Sequence, residues 1–589
     1  MNASTPTLTP EYVDRIAARL TDGDRRQLGD IYEPTEVAIP DADAYRSLCV
    51  TDDGRIRFWG EYRKQSVYDN DCPRCYIESC DGGLSWKRYV VDDENVLGAS
   101  RRIPFDKAGR YIALAYREGV GTVLRRGTSQ DDTCPEEILI SEQKSFDFRP
   151  PCFDTEKKRI LFTACENRFE IHPTAFFTVM FLSDDCGDSW KVLHIPGIPE
   201  FQSKPPHEGK RWEQNTRENT VVPLSDGRLM MLTRTTEDYH YVYYSDDHGD
   251  TWSDPAPTAF HSTGTMPHLH RLSDGRIVFL FCNTKPLPEL ATANGLWEDV
   301  FTNRDAAHIA ITEDDGKSWI GMREIGLNPY RHAHDFRSVG GPECDRDKSV
   351  HQFETLELPM GKLLIAHGQH YACRRIRIVD LRWIYERTRK EDFLHGLHAI
   401  SAQSYVKSIL GGHRGSAEAP NEYVGHCAYN RTCSVFLMPS PAEEGKEALC
   451  LAPNPDTRLL SPASGATWNF PIARRGTVKV QLHTNKALRL SLLDFWMNPT
   501  DGTVADFAPF TVVITPEMQR TDTYYTEFTL RFDCDAGSVL LTADGGYRAK
   551  VFMNEKAPAP YGLCYLHLQT TDNDPEHLSY VARLHYEME

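Results

Sequence analysis

Little in this chain of 589 residues points toward a membrane, a nucleic acid or the secretory route. No run is long and apolar enough to span a bilayer. Residues 1–21 show no basic segment followed by an apolar one, so no secretory leader is read there and a cytoplasmic location is expected. Cationic side chains are in deficit. The net charge of −19 argues against nucleic acid as the main partner. An anionic ligand would have to be held by a local cluster of arginines or lysines. Metal spacing is scarce too. Cys72-Pro73-Arg74-Cys75 is a C-x-x-C without a second pair, so the 16 cysteines read as reduced packing thiols, and neither a metal nor a cofactor is expected.

Turn chemistry, by contrast, is plentiful. The frame Ser/Thr-x-Asp-x-Gly-x-x-Trp recurs at Ser79/Asp81/Gly83/Trp86, Ser183/Asp185/Gly187/Trp190, Ser245/Asp247/Gly249/Trp252 and Thr312/Asp314/Gly316/Trp319. Each carries the parts of a tight strand-to-strand turn. The carboxylate can accept from backbone N–H groups, the glycine can take φ > 0, the hydroxyl can close a local bond, and the Trp opens the next strand. A second signal is a Gly-centred hairpin between alternating apolar runs, at Gly54, Gly109, Gly227, Gly275 and Gly361. Hairpin, strand, Asp-Gly-Trp turn and strand make a four-stranded antiparallel meander, the unit of a propeller blade.

Counting these units predicts an all-β chain with a six-bladed β-propeller over residues 41–385. The blades fall at about 45–91, 100–140, 146–195, 218–260, 266–325 and from 351 onward. The second has an eroded turn at 127–132 and the sixth has no Asp-Gly-Trp turn. Residues 1–40 read as a lead-in with a short helix over 10–20, and 386–428 as a partly helical connector, with 397–410 helical. From 429 to 589 alternation resumes without the propeller turns, at 478–482, 488–493, 510–514, 525–532, 539–542 and 578–585, which predicts a β-sandwich. That module is a candidate for homo-oligomer assembly or for carbohydrate binding.

Meander topology sorts residues by face. The Asp-Gly-Trp turns share one face with the first hairpins, so their Asp residues read as structural, and Asp81→Ala is expected to destabilise the fold. Strand-1 starts and 2–3 loops share the other face. It collects Arg46, Arg63, Asp69 and Asp71 from blade one, Glu218 and Arg234 from blade four, Arg304 from blade five, and His351, Gln352, His367, His370 and Tyr371 from blade six. Arg46, Arg234 and Arg304 converge from separate blades on one axial opening, and guanidinium forks suit a carboxylate.

Residues in that order resemble the sialidases (neuraminidases) with bacterial neuraminidase, or Asp-box, repeats. Tyr45-Arg46, a strand, an Asp-Gly turn and Gly60-Glu61-Tyr62-Arg63 are similar to the first sialidase blade. The stretch from Glu218 to Arg234 is similar to the one that carries the family's Glu and second arginine, and Asn303-Arg304 to the one that carries the third. The resemblance covers roughly residues 41–368. It implies an exo-glycosidase that releases a terminal carboxylated sugar, sialic acid or a related keto-deoxy acid. An arginine triad would hold the carboxylate, and Asp69 or Asp71 would be the acid/base group, with Asp69 favoured on spacing. Two alternatives stand beside it: a hydrolase or lyase of the same fold acting on another acidic glycan such as a uronate, and a propeller that binds acidic sugars without cleaving them.

Two positions depart from the family's pattern. Arg102-Ile103-Pro104 matches an Arg-Ile-Pro signature but falls in blade two, which leaves Arg101 and Arg102 as secondary front-face candidates. Gln352 stands where the family places its tyrosine nucleophile, and a carboxamide cannot do that work. Three routes remain: Glu218 activating a water, Tyr371 replacing the phenol, or His351 acting as base in an elimination. The favoured scheme has Asp69 or Asp71 as general acid and Glu218 as base. On it, Glu218→Gln is expected to abolish activity and leave stability intact.

Overall fold

The computed structural model describes residues 11–40, 47–61, 74–91, 95–168, 175–199, 202, 210–211, 214–285, 297–298, 304–332, 349–369, 373–406, 430–456, 459 and 461–589. Strands dominate among them, and no helix is long and apolar enough to cross a membrane. Five four-stranded antiparallel meanders follow one another. The first is Ser47–Val50, Ile56–Glu61, Arg74–Ser79 and Lys87–Val90; the second is Arg101–Arg102, Tyr111–Arg117, Gly121–Gly127 and Glu136–Ser141. The third is Cys152–Asp154, Arg159–Asn167, Ala175–Ser183 and Lys191–His194, and the fourth is Gln214–Pro223, Leu229–Thr235, Tyr239–Ser245 and Ala256–His261. The fifth is His268–Arg271, Ile277–Phe281, Ala306–Thr312 and Ile320–Leu327. A sixth sheet has only three consecutive strands, Glu354–Leu358, Lys362–His367 and Arg375–Asp380. It takes its fourth from the N-terminal side, where Thr35–Ala38 pairs antiparallel with Arg375–Asp380.

The repeated turn is built as its chemistry predicts. Ser245 Oγ donates to Asp247 Oδ1 at 2.8 Å and accepts from Gly249 N–H at 2.8 Å, while Asp247 accepts from Thr251 N–H at 2.8 Å and from its hydroxyl at 2.6 Å. Equivalent bonds close the turns at Ser79, Ser183 and Thr312. Gly249 has φ of 94°, and a Cβ there would stand 2.7 Å from Leu161 of the preceding sheet. Glycine is therefore required both by the backbone and by the neighbour.

The other three Asp-Gly-Trp turns also set their glycine against a neighbouring sheet. Gly187 of the third sheet faces Leu124 of the second, Gly316 of the fifth faces Met230 of the fourth, and Gly83 of the first faces Leu364 of the sixth. The eroded turn of the second sheet uses charge instead: Asp131 pairs with Arg57 of the first sheet at 2.7 Å. In the sixth, a short helix, Leu381–Ile384, sets Ile384 against Gly321 of the fifth. First hairpins lie beside these turns, with Asp154 Oδ2 2.6 Å from His248 Nδ1 and Lys157 Nζ 2.9 Å from Asp250.

One cavity of about 1080 Å³ is lined by the first strands of all six sheets, through Leu48, Arg101, Cys152, Asn219, His268 and Glu354 among others. The expected four-stranded antiparallel unit is present, while no sheet closes on itself.

Two helices precede the sheets where the sequence suggested one. α1, Glu11–Arg19, buries Val13 and Ile16, and α2, Asp22–Asp30, starts from a reciprocal Thr21/Asp24 capping box. Arg15 and Arg19 of α1 reach Asp52 and Asp53 in the first hairpin.

Beyond the sixth sheet, an eight-stranded and a five-stranded sheet share a core that includes Trp468, Val480, Leu490 and Phe528, the expected sandwich. The helix expected over 397–410 is corrected by the structure. Ile400–Ser401 and Gln403–Val406 are strands, and Thr388–Glu391 pairs with Ser579–Met588; residues 407–410 lie outside the described ones. Ile400 and Ala402 are both buried in the sandwich core, and a short run of that kind carries no periodicity that separates helix from strand.

The sandwich and the fourth and fifth sheets share a continuous apolar core, with Phe260, Phe279 and Phe281 against Phe495, Trp496 and Tyr565. A buried relay crosses it. Asn283 N–H donates to His308 Nδ1 at 3.2 Å, which leaves Nε2–H to donate to Tyr565 Oη at 2.5 Å, and Tyr565 donates on to Glu324 Oε1 at 2.8 Å.

Two substitutions test these joints. Asp247→Ala should lower unfolding stability by about 1–2 kcal/mol, because it strands the turn's donors. Tyr565→Phe should lower it by about 1–3 kcal/mol, since His308 and Glu324 each lose a buried partner. Denaturant unfolding of the full chain reads both.

Candidate functional site

Glu218 owes its position to an irregularity in the fourth sheet. Arg217 pairs with Arg234 and Thr220 with Leu232, so Glu218 and Asn219 together face the single residue Thr233. The extra residue is a bulge that re-aims the side chain, and Glu218 takes φ of 54°. Gln352, at the lead-in to the sixth sheet, also has positive φ, 71°. Two non-glycine residues in the left-handed region cost on the order of 1–3 kcal/mol each, so packing around them must hold them there. They meet. Gln352 Nε2 donates to Glu218 Oε1 at 2.9 Å, and Arg234 Nη1 donates to Glu218 Oε2 at 2.7 Å.

Glu218 and Arg234 are both buried. Burial works to raise the Glu218 carboxyl, but the Arg234 and Arg217 guanidiniums beside it outweigh that and hold it well below the usual carboxylate range. Arg217 itself lies over the Phe176 ring, 4.6 Å from its centroid. His351 is buried next to Gln352, with Nδ1 2.6 Å from Ser349 Oγ. Burial, reinforced by Arg304, keeps its imidazole well below the ordinary histidine value and therefore neutral. Arg304 is buried as well; its Nε donates to Thr263 O at 3.1 Å and its Nη2 to Gly264 O at 2.5 Å, while its own carbonyl accepts from Val350 N–H at 3.0 Å. Gly368 N–H closes onto His351 O at 2.7 Å. The lead-ins to the fifth and sixth sheets are thereby tied together beside Glu218.

Of the residues singled out from sequence, the structure brings together Glu218, Arg234, His351 and Gln352, with Arg304 next to His351. Arg102 goes elsewhere. It is not a front-face residue: its guanidinium stands 3.3 Å from Glu11 of α1 and 3.9 Å from Asp52, at the hairpin end, because its strand is only two residues long and the following hairpin turns toward α1. His367 is buried within 3.2 Å of Arg377 Nε. Arg46, Arg63, Asp69, Asp71, His370 and Tyr371 lie outside the described residues. Ser349 is the site's unanticipated member, and nothing in the sequence marked it. Among the described residues no cluster of His, Cys, Asp and Glu is fit to hold a metal ion.

Comparison with known proteins follows the same lines. Residues 150–329 match the BNR repeat-like domain family, a span that contains three of the four Asp-Gly-Trp turns. The chain is similar to Trypanosoma rangeli sialidase at 12% identity, covering 94% of each chain, with a TM-score of 0.34. It is similar to the intramolecular trans-sialidase from Ruminococcus gnavus at 11% identity, covering 61% of this chain and 98% of that one, with a TM-score of 0.35. A Dyadobacter fermentans protein of unknown function is similar at 13% identity, over 59% of this chain and 96% of that one, with a TM-score of 0.37. No curated protein sequence matches the chain at a significant level.

The ion pair changes what Glu218→Gln should do. Loss of the charge removes the carboxylate that pairs with buried Arg234 at 2.7 Å, so stability should fall by about 3 kcal/mol rather than stay intact. The depressed Glu218 carboxyl gives the sign of the pH dependence. Its contribution is fully present above the unfolded value of about 4.3 and is lost as pH falls through the lower folded value. Unfolding curves of wild type and Glu218→Gln should therefore differ at neutral pH and approach each other only in strong acid.

Proposed function

We propose that the protein is a glycoside hydrolase resembling an exo-sialidase, releasing a terminal carboxylated sugar and using water in place of a tyrosine nucleophile. The observation that carries this reading is the carboxamide of Gln352 at 2.9 Å from Glu218 Oε1, where the sialidase resemblance calls for a phenol. The amide orients the carboxylate but offers no nucleophile. Glu218 is then left to act on water, and the product inverts.

Arg234 and Arg304 would hold the sugar's carboxylate, with Arg46 as a third arm. Arg234 is shared in this scheme. A substrate carboxylate that draws it away weakens the ion pair that keeps Glu218 so acidic, and Glu218 becomes basic enough to take a proton from water once substrate is bound. Asp69 or Asp71 would protonate the leaving oxygen. His351, neutral and bonded to Ser349, supports the lead-in and is a poor base. That favours hydrolysis over elimination from a uronate.

The test is turnover of a panel of glycosides of sialic acid, a keto-deoxy acid and a uronic acid, with the first-formed anomer read by proton NMR. Inverted product from one acidic glycoside, lost in Glu218→Gln, is expected. Retained configuration would point to a protein nucleophile and overturn the water route. Saturable binding of the acidic sugars with no turnover would favour a propeller that binds and does not cleave.

A further inference from the structure

The cavity of about 1080 Å³ is not accounted for by Glu218 and its partners. Its mouth lies at the hairpin end of the sheets, among the exposed turn residues Glu156, Ser225 and Asp274, and Tyr12 of α1 stands in its wall. Its lining also includes the starts of the first strands, where charge is concentrated. Arg101 and Arg149 line it, and both also line an adjoining cavity of about 170 Å³. Arg101 Nη1 donates to Ser47 Oγ at 2.9 Å and its Nη2 stands 3.9 Å from Glu354 Oε2, too far for a hydrogen bond. Arg149 makes no ion pair among the described residues. Glu354 is only 5% exposed, and its Oε1 is buried without a hydrogen-bond partner.

Such a group is costly unless something arrives to satisfy it. Two guanidiniums face one carboxylate, so the inner end of the cavity carries an excess positive charge inside a chain whose net charge is −19. A monoanion balances it. The open acceptor on Glu354 asks in turn for a hydroxyl donor and would repel a dianion such as phosphate. His268 is not that donor, since Glu354 Oε1 has no hydrogen-bond partner and His268 Nε2 lies 3.0 Å from Thr355 Oγ1. His270, farther along the same strand, has a buried Nε2 without a partner and adds a second polar contact for a hydroxylated ligand.

We propose that the axial cavity is a binding site for a small polyhydroxylated monocarboxylate, a sugar acid, with Arg101 and Arg149 on its carboxylate and Glu354 accepting from its hydroxyls. The site is separate from the Glu218–Arg234 pair in residues and in role, and it stands whether or not the proposed hydrolysis occurs. A volume of about 1080 Å³ is ample for a monosaccharide.

Calorimetric titration of the full chain with D-glucuronate tests it, with D-glucose and inorganic phosphate as controls. Saturable glucuronate binding is expected, with glucose and phosphate each weaker by about tenfold or more, since each lacks one half of the recognition. Arg149→Ala should weaken glucuronate binding by about tenfold or more, and Arg149→Lys, which restores charge without the fork, should recover part of that loss. Arg149 is half-buried and makes no ion pair among the described residues, so both variants should fold; far-ultraviolet circular dichroism checks this, and Arg149→Lys alone suffices if Arg149→Ala does not. Unchanged affinity in the Arg149 variants would overturn the proposal by locating the ligand elsewhere. Phosphate binding as tight as glucuronate would overturn it as a nonspecific anion site, and glucose binding as tight would remove the carboxylate from the recognition.

Discussion

A hydroxyl, a carboxylate and a glycine, bonded within one turn, hold the six-sheet module in register. Ser245, Asp247 and Gly249 show how: the side chains satisfy the turn's own backbone, and the glycine's missing Cβ lets the turn settle on Leu161 of the sheet before it. The bond network makes the turn rigid, and the glycine makes it close-fitting. Where the frame is eroded, in the second sheet, the Asp131–Arg57 ion pair performs the docking; where it is absent, in the sixth, a four-residue helix does. Three chemistries thus solve one packing problem, which is why the repeat could decay at two positions without loss of the sheet it serves.

Docking of this kind aligns the first strands, and that alignment gathers charge. Residues at the starts of first strands are far apart in sequence and belong to different sheets, yet they line one cavity or meet at one site. Glu218 and Gln352 lie 134 positions apart and share a hydrogen bond. The group around them is expensive: two strained backbones, a buried ion pair, and a neutral buried histidine. A fold that keeps such a group must offset it elsewhere. The long apolar interface with the sandwich, tied by the His308–Tyr565–Glu324 relay, is a place where that offset is available.

Much of the architecture was legible in the sequence because it is written in local rules. The four turns gave the phase of each blade, period-2 alternation gave the strands, and together they placed Glu218 and Arg234 at corresponding ends of their strands. The misses have physical causes as well. Residues 397–406 carry too short an apolar run to separate helix from strand, and α2 is a polar helix held by its capping box rather than by an apolar face. Arg102 was placed on the front by its strand position, while the structure turns it to α1 because its partners, Glu11 and Asp52, come from segments no local rule connects to it.

The sequence by itself therefore determined the repeat unit, the strand-rich second module, and the absence of a phenol at position 352. Each of these depends on neighbours a few residues apart. The tertiary structure alone decided that Gln352 donates to Glu218, that Arg234 and Arg217 hold that carboxyl ionised, and that Arg101, Arg149 and Glu354 share a cavity. Those facts depend on Coulomb terms and burial, and both are set by distances between segments that only the packed sheets bring together.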